Sequence, residues 1–427
     1  MPSFPQLAGN RKTDVLIVGG GLAGLLCAYR LQQAGVDCLL LEADRICSAA
    51  TGRTTAKITS QHGLIYDRIF RRYGPEAARI YYDAAEAALD EYRRICAGLD
   101  CGFEQKDSFI YSIHEPEKLE RELRALDGIG ANAHFAAKLP LPFQVVGAVC
   151  FPNQAQFHPL RFAAAIAANL NIFERTPARA FEGNTVLTDR GKVTAQKVII
   201  ATHFPIINKH GFYFAKQYQS RSYVICLEEA PQLDGMYRDE AESGFSFRNY
   251  GNSLLLGGGA HRTGKQSRGW ADLEAAAARW YPESKLQYRW AAQDCMTLDG
   301  IPYIGKYSRS GGELYVATGF NKWGMTSAMA ASMILAEQVQ GRESPYALPF
   351  LPQRSSLHPL LAVNILEAAC NLLKPTRPRC PHLGCALRWN QQERSWDCPC
   401  HGSRFTEDGR LLDNPANGGL KHPPRRN

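Results

Sequence analysis

The sequence predicts an α/β chain, in which a split nucleotide-binding domain carries an inserted α+β domain and is followed by a small all-β module. Three observations predict it. A strand, a glycine cluster, a helix and a second strand ending in an acid follow one another between Thr13 and Glu42. Buried-strand and glycine segments return far downstream, at 197–202 and 314–326, so the first domain is interrupted and resumed. Near the C-terminus Cys380, His382, Cys398 and His401 form the spacing C-x-H-x15-C-x-x-H.

At 427 residues the chain has material for two or three units at about 150 residues each. No apolar run reaches the roughly 20 residues of a membrane span. The longest candidate, Leu360 to Leu373, is interrupted by Asn364 and Glu367. Met1 to Lys12 lacks the apolar core of a signal peptide, and cytoplasm is the expected compartment. Of 13 cysteines, nine precede the C-terminal motif without regular spacing and read as small core hydrophobes. The net charge of +8 is dispersed except at Arg377, Arg379 and the tail Lys421 to Arg426. That pattern predicts no nucleic-acid partner and leaves at most a docking face for an acidic electron carrier.

Thr13 to Val18 reads as a buried parallel strand, and Gly19-Gly20-Gly21-Leu22-Ala23-Gly24 opens a helix that runs to Ala34. Glycines here permit a tight turn and let a pyrophosphate approach a helix N-terminus. The second strand, Val36 to Leu41, ends in Glu42 and Ala43, and an acid at that place accepts from ribose hydroxyls. The alternative is a purely structural glycine turn; strand, glycines, helix, strand and acid in order within about 30 residues favour a dinucleotide. Next comes Thr51-Gly52-Arg53-Thr54-Thr55-Ala56-Lys57, whose small residues let the backbone run along a bound cofactor. Residues 75–130 read as helical, with Ala77, Ile80, Ala84 and Ala88 at helical spacing, while 140–160 and 212–260 are richer in strand formers. A late buried strand, Lys197 to Thr202, follows the turn Asp189-Arg190-Gly191. Asp299-Gly300-Ile301-Pro302, then Gly319-Phe320, then Gly324-Met325-Thr326 at the start of an Ala-rich helix complete the series.

From 342 to 379 the chain is a linker: Pro345, Pro349 and Pro352 mark a spacer, and Ser356 to Leu373 carries a helical apolar stripe. Beyond it, two thiolates can hold one iron of a [2Fe–2S] cluster and two imidazoles the other. Two Cys and two His also suit tetrahedral zinc, but a spare cysteine in each loop, Cys385 and Cys400, is unusual for a zinc knuckle.

The motifs across 13–340 resemble the D-amino-acid oxidase family of flavoenzymes, which includes glycine oxidase and sarcosine oxidase. The loops around Cys380 and Cys398 resemble those of Rieske proteins. The first resemblance implies FAD, with the adenine end at Gly19, Gly21, Leu22, Ala23, Gly24, Glu42 and Ala43 and further contacts along Thr51–Ala56 and at Ala178. It places the isoalloxazine under the loop Gly319, Phe320, Gly324, Met325 and Thr326. It also implies a division into FAD-binding parts at 1–74, 176–204 and 291–341, and a substrate domain at 75–175 with 205–290. The second resemblance implies a [2Fe–2S] module at 380–427 with Cys380, His382, Cys398 and His401 as ligands and a Cys385–Cys400 disulfide. Rieske domains usually place several strands before the first ligand loop, and here a helix and a Pro-rich link stand instead. Either the flavin domain supplies the missing wall or the cluster is exposed.

Together the resemblances imply a dehydrogenase that oxidises the C–N bond of an amine or amino acid. Its electrons pass from non-covalent FAD through the cluster to a one-electron acceptor, a protein or a quinone. Glycine-oxidase-like relatives usually carry an Arg five residues before the Asp of Asp-Gly-x-Pro; here that position is Asp294. The substitution favours a cationic amine or a differently clamped acid, unless Asp294 only pairs with a neighbouring base. Lys322, Trp323 and His62 are the other substrate-facing candidates, against core packing for Trp323 and a structural hydrogen bond for His62. No catalytic base is assigned. A 2-hydroxy-acid dehydrogenase on the same fold and a flavin/cluster redox sensor are the rival readings. A ring-hydroxylating oxygenase is disfavoured because no close His pair with an acid supplies a mononuclear iron site.

Overall fold

Arg11–Val18 is the axis of the nucleotide-binding sheet because Val15 to Val18 are apolar on both faces, as a strand covered on two sides must be. It pairs in parallel with Cys38–Leu41 on one side and Gly191–Ile200 on the other. A computed structural model describes residues 1–207, 210–310, 312–375 and 378–421. In it the eight-stranded sheet runs Tyr303–Lys306, Leu314–Thr318, Gly191–Ile200, Arg11–Val18, Cys38–Leu41, Ile172–Phe173, with a hairpin at 178–188 added to Gly191–Ile200. The helices Leu22–Gln33 and Gly324–Val339 cover it side by side, packing small and apolar residues into one core.

A second sheet has nine strands, ordered Lys285–Thr297, Gln217–Glu228, Ser253–Arg262, Ser246–Tyr250, Met236–Asp239, Glu104–Ser112, Gly147–Gln156, Lys57–Ile58, with His134–Ala136 beside Gly147–Gln156. Two expectations need correction here. Residues 75–130 are not helical throughout: the helix Tyr66–Cys96 ends, Glu104–Ser112 is an inner strand, and Pro116–Gly128 is a second helix. The polar first half of that strand hides its period, since only Phe109 to Tyr111 carries large apolar residues. The strand Lys285–Thr297 also runs through the expected boundary at 290/291, paired along its length with Gln217–Glu228.

The C-terminal module is a four-stranded antiparallel meander, Arg388–Asn390, Ser395–Asp397, Arg404–Thr406 and Leu411–Asp413. The helix Pro359–Leu373 belongs with it: Ala386 N donates to Asn371 O, and Ala368 packs on the module core. The apolar stripe expected on this helix is present but faces outward. Of the basic residues noted in the sequence, Arg377 and those at 422–426 lie outside the described residues.

Candidate active site and cluster site

The helix Leu22–Gln33 opens at Gly21 with no side-chain cap, so its first turn keeps amide donors for an anion. Leu22 N is the exception, donating to Thr51 Oγ1 at 3.0 Å, which ties the 50–53 turn to the helix start. Gly24 is required by packing, because a Cβ there would lie 1.9 Å from the Gly19 carbonyl oxygen. Glu42 stands beside the glycine turn, its carboxylate receiving Gly20 N at 2.6 Å and Asp44 N at 2.8 Å. Burial raises its pKa and those two amides partly offset the rise. Thr176 N donates to the Glu42 carbonyl, which brings the strand beginning at Ala178 to the same end. An uncapped helix N-terminus, a glycine floor and a buried acid fit the pyrophosphate and ribose of a dinucleotide.

From there a cleft runs over the nine-stranded sheet, bounded by the 50–57 turn and the segment Lys322 to Met325. Ala50, Arg53, Thr54, Thr55 and Lys57 line one end, and Gly324 and Met325 the start of the late helix. That helix too has no side-chain cap, and Thr326 Oγ1 locks it to Thr59 through both backbone groups. Three of the four substrate-facing candidates, Asp294, Lys322 and Trp323, line the same cleft. Lys322 sits in the left-handed region, φ 72°, in the turn after Gly319, and donates to Ser222 Oγ at 3.2 Å. Ser222 Oγ in turn lies 3.5 Å from Asp294 Oδ2. His62 is behind this wall, stacked on Trp323 at 5.4 Å and bonded through Nδ1 to Tyr81 OH at 2.6 Å. Burial lowers its pKa to about 3, so the ring is neutral.

Three cleft residues escaped sequence reasoning as substrate contacts. Arg238 lies 5.6 Å over the Trp323 ring, and among the described residues no hydrogen bond or ion pair engages its guanidinium. Glu242 faces the same space, and Lys57 closes it from the cofactor end. Burial, reinforced by Arg238, lowers Lys322 to about 8; burial, with Arg248 and Arg238, lowers Lys57 to about 7.

In the C-terminal module Cys380, Cys398 and His401 are buried and His382 is half-buried. The rings of His382 and His401 stand 4.9 Å apart at 89°. Nδ1 of His401 is buried with no hydrogen-bond partner, an orphan that a metal bond would satisfy. Hydrogen bonds from Cys380, Cys385 and Cys400 hold the Cys398 thiol far below its ordinary pKa, which suits a thiolate ligand. The residues therefore fit a cluster. The expected Cys385–Cys400 disulfide is not formed: both are free thiols, and their sulfurs lie within 4.8 Å of each other and of Cys398, toward which both turn.

The missing strands of the module are replaced by the flavin domain. Strands Gln217–Glu228 and Lys285–Thr297 form a wall with two functional faces. Ser222, Ala292 and Asp294 look into the cleft, while Gln219, Arg221 and Gln293 meet the module. Gln293 Nε2 donates to Gly402 O at 2.9 Å, and a Cβ on Gly402, whose φ is +81°, would lie 2.3 Å from Gln219 Cγ. Phe204 and Phe214 enclose the His401 ring edge-on. Arg221, 1% exposed, pairs with Glu393, and Arg404 joins Glu393, Asp397 and Asp413 in one buried ionic network.

Comparison with known proteins agrees with this division. Residues 14–338 match the family model DAO, FAD dependent oxidoreductase, and residues 363–424 match the Rieske [2Fe-2S] domain. YhfW of Bacillus subtilis (strain 168), named for a Rieske 2Fe-2S iron-sulfur protein, is 32% identical, with 99% of this chain and 95% of YhfW covered. Gamma-glutamylputrescine oxidoreductase of Escherichia coli (strain K12) is 26% identical over 79% of this chain and 86% of its own. Among solved structures, glycine oxidase from Geobacillus kaustophilus shares the fold, with a TM-score of 0.67 at 21% identity over 81% of this chain and 99% of that one. With a nucleotide-binding sheet and cleft matched in one family and a cysteine–histidine module in another, the chain belongs to the DAO family of FAD-dependent oxidoreductases and carries a C-terminal Rieske [2Fe–2S] domain.

Proposed function

We propose that the protein is a dehydrogenase for a carboxylate-bearing amine or amino acid, and that its electrons leave through the C-terminal cluster to an acceptor protein or a quinone. Arg238 carries this reading. A guanidinium within the cleft wall, without a hydrogen-bonded acceptor among the described residues, can take an anionic group, and a planar fork suits a carboxylate. Lys322 supplies a second cation beside it. Asp294 and Glu242, which face the same space, suit the amine end of such a molecule. The amine between those acids argues against the 2-hydroxy-acid alternative, whose hydroxyl needs no pair of carboxylates.

FAD held along this cleft would supply a two-electron hydride acceptor, and a [2Fe–2S] centre held by the C-terminal module would supply a one-electron outlet. The chain positions and protects. Arg238 and Lys322 fix the carboxylate, so the amine end is presented at one distance and angle. Lys57 Nζ, with a pKa of about 7, can take up the ammonium proton near neutral pH. The stacked Trp323 and neutral His62 close the wall against water. Gly319, Phe320 and Thr55 are assigned to the flavin ring, and Cys380, His382, Cys398 and His401 to the two irons.

A panel of amines, amino acids and 2-hydroxy acids, added without oxygen to the purified holoprotein, tests the reading by flavin bleaching. Bleaching by an amine that bears a carboxylate is expected. Bleaching by 2-hydroxy acids alone would overturn it, and so would reduction by NAD(P)H or thiols with none by any amine, the behaviour of a sensor.

A further inference from the structure

The helix Pro359–Leu373 is amphipathic with its polar side turned inward. Asn364 is 5% exposed, donates to Ala215 O at 2.9 Å and accepts from Arg262 at 2.9 Å. Asn371 is 1% exposed and bonds Glu367 O, while Glu367 pairs with Lys265. The opposite side carries Val363, Ile365, Leu366, Leu372 and Leu373, the last 84% exposed, with Ala362 and Ala369 among them. At about 100° per residue these positions form one continuous arc of roughly 180°. Leu357 extends it at one end. At the other, Arg379 bridges Leu372 O and Gly384 O, so Leu383 of the cluster loop, beside His382, continues the same surface.

Water favours the reverse arrangement, so a contiguous apolar face of this kind is built for another contact. The helix has 15 residues, about 22 Å of length, against a hydrocarbon core of about 30 Å. No helix among the described residues is long and apolar enough to cross a membrane. A helix too short to span, with one broad aliphatic face, lies in the plane of a bilayer surface. Charge agrees. Two cations flank the face at its ends, Arg72 on the Leu357 carbonyl and Arg379 on the Leu372 carbonyl, while Arg262, Lys265 and Lys374 bond the inward polar side. The helix's one acid, Glu367, is taken up by Lys265. A protein partner is less well matched, since the arc has none of the Trp, Tyr or Arg anchors that dominate protein interfaces.

We propose that this helix is a membrane-surface element, its aliphatic face seated among the lipids of an anionic bilayer and its flanking cations facing the phosphates. Docked so, the protein holds the half-buried His382 edge of its cluster loop alongside the lipid surface. The test is flotation of the full-length holoprotein with vesicles of phosphatidylcholine containing phosphatidylglycerol. The parent floats with these vesicles and far less with phosphatidylcholine alone. Leu366→Glu with Leu373→Glu, both on the exposed face, lowers the floated fraction at least about tenfold while flavin content and melting temperature stay unchanged. Two results would overturn the proposal: a parent that does not float, including one that self-associates and is split to monomers by the two substitutions, or a double variant that floats as well as the parent.

Discussion

Arg238 has no hydrogen-bonded acceptor among the described residues, and Asp294, Asp239 and Glu242 act on it only through their charge, so in the proposed reading its bidentate contact forms when a ligand arrives. Arg238→Leu is expected to leave the fold intact and lower kcat/KM for a carboxylated amine by about 2–5 kcal/mol, roughly 30-fold to several thousand-fold. Steady-state kinetics check it; an unchanged kcat/KM would move the carboxylate elsewhere. Lys322 adds a pH signature. Burial first, then Arg238, holds its pKa at about 8, with Asp294 and Glu242 opposing the shift. Below that pH the ammonium is charged and attracts a carboxylate; above it the charge is lost. Binding of a carboxylate inhibitor should therefore weaken as pH rises through about 8, and Lys322→Met should remove that limb. Equal inhibitor constants at pH 7 and 9 in the parent would contradict it. Asp294, Lys322 and Trp323 were legible in sequence because they stand at fixed offsets from Asp-Gly-x-Pro and Gly-Phe. Arg238 and Glu242 were not, because they lie in a separate strand and turn that meet the motif only after the nine-stranded sheet forms.

The wall strands explain what holds the module in place. Arg221 faces two carboxylates, Glu393 and Asp413, both shared with Arg404, which also holds Asp397. Arg221→Met leaves those acids one cation short, and removing one partner of a buried pair costs about 3–5 kcal/mol. Limited proteolysis and hydrogen exchange should show the module loops losing protection while the nucleotide-binding sheet keeps its own; unchanged protection would sink the docking role. Acid should act on the same contact. Burial alone would raise Asp413, but Arg404 and Arg221 outweigh it and hold its pKa below the usual value. Its contribution is present above the unfolded carboxylate value of about 3.9 and is lost as pH falls below that, through the folded value. These residues also show why element patterns mislead. Gln217, Gln219 and Arg221 alternate along one strand as a solvated face would, yet all three are buried, Gln219 and Arg221 against the C-terminal module and Gln217 against Thr318 of the nucleotide-binding sheet. The strand Glu104–Ser112 was missed for the related reason that half of it is polar.

At the scale of the whole molecule, the substrate cleft and the cluster module lie on opposite faces of the same two strands. The sequence announced both cofactors, since glycine spacing and C-x-H…C-x-x-H spacing are local. It left open whether the short module could be complete, because the completing wall comes from the distant strands Gln217–Glu228 and Lys285–Thr297. That placement is what the proposed electron relay within one chain rests on. The most direct measurement is an anaerobic titration of the holoprotein with a bleaching amine, following flavin absorbance and the EPR signal of the reduced cluster together. The account predicts that flavin bleaching is accompanied by a cluster signal approaching one electron per chain. A flavin fully reduced by substrate beside a cluster that stays oxidised would contradict it.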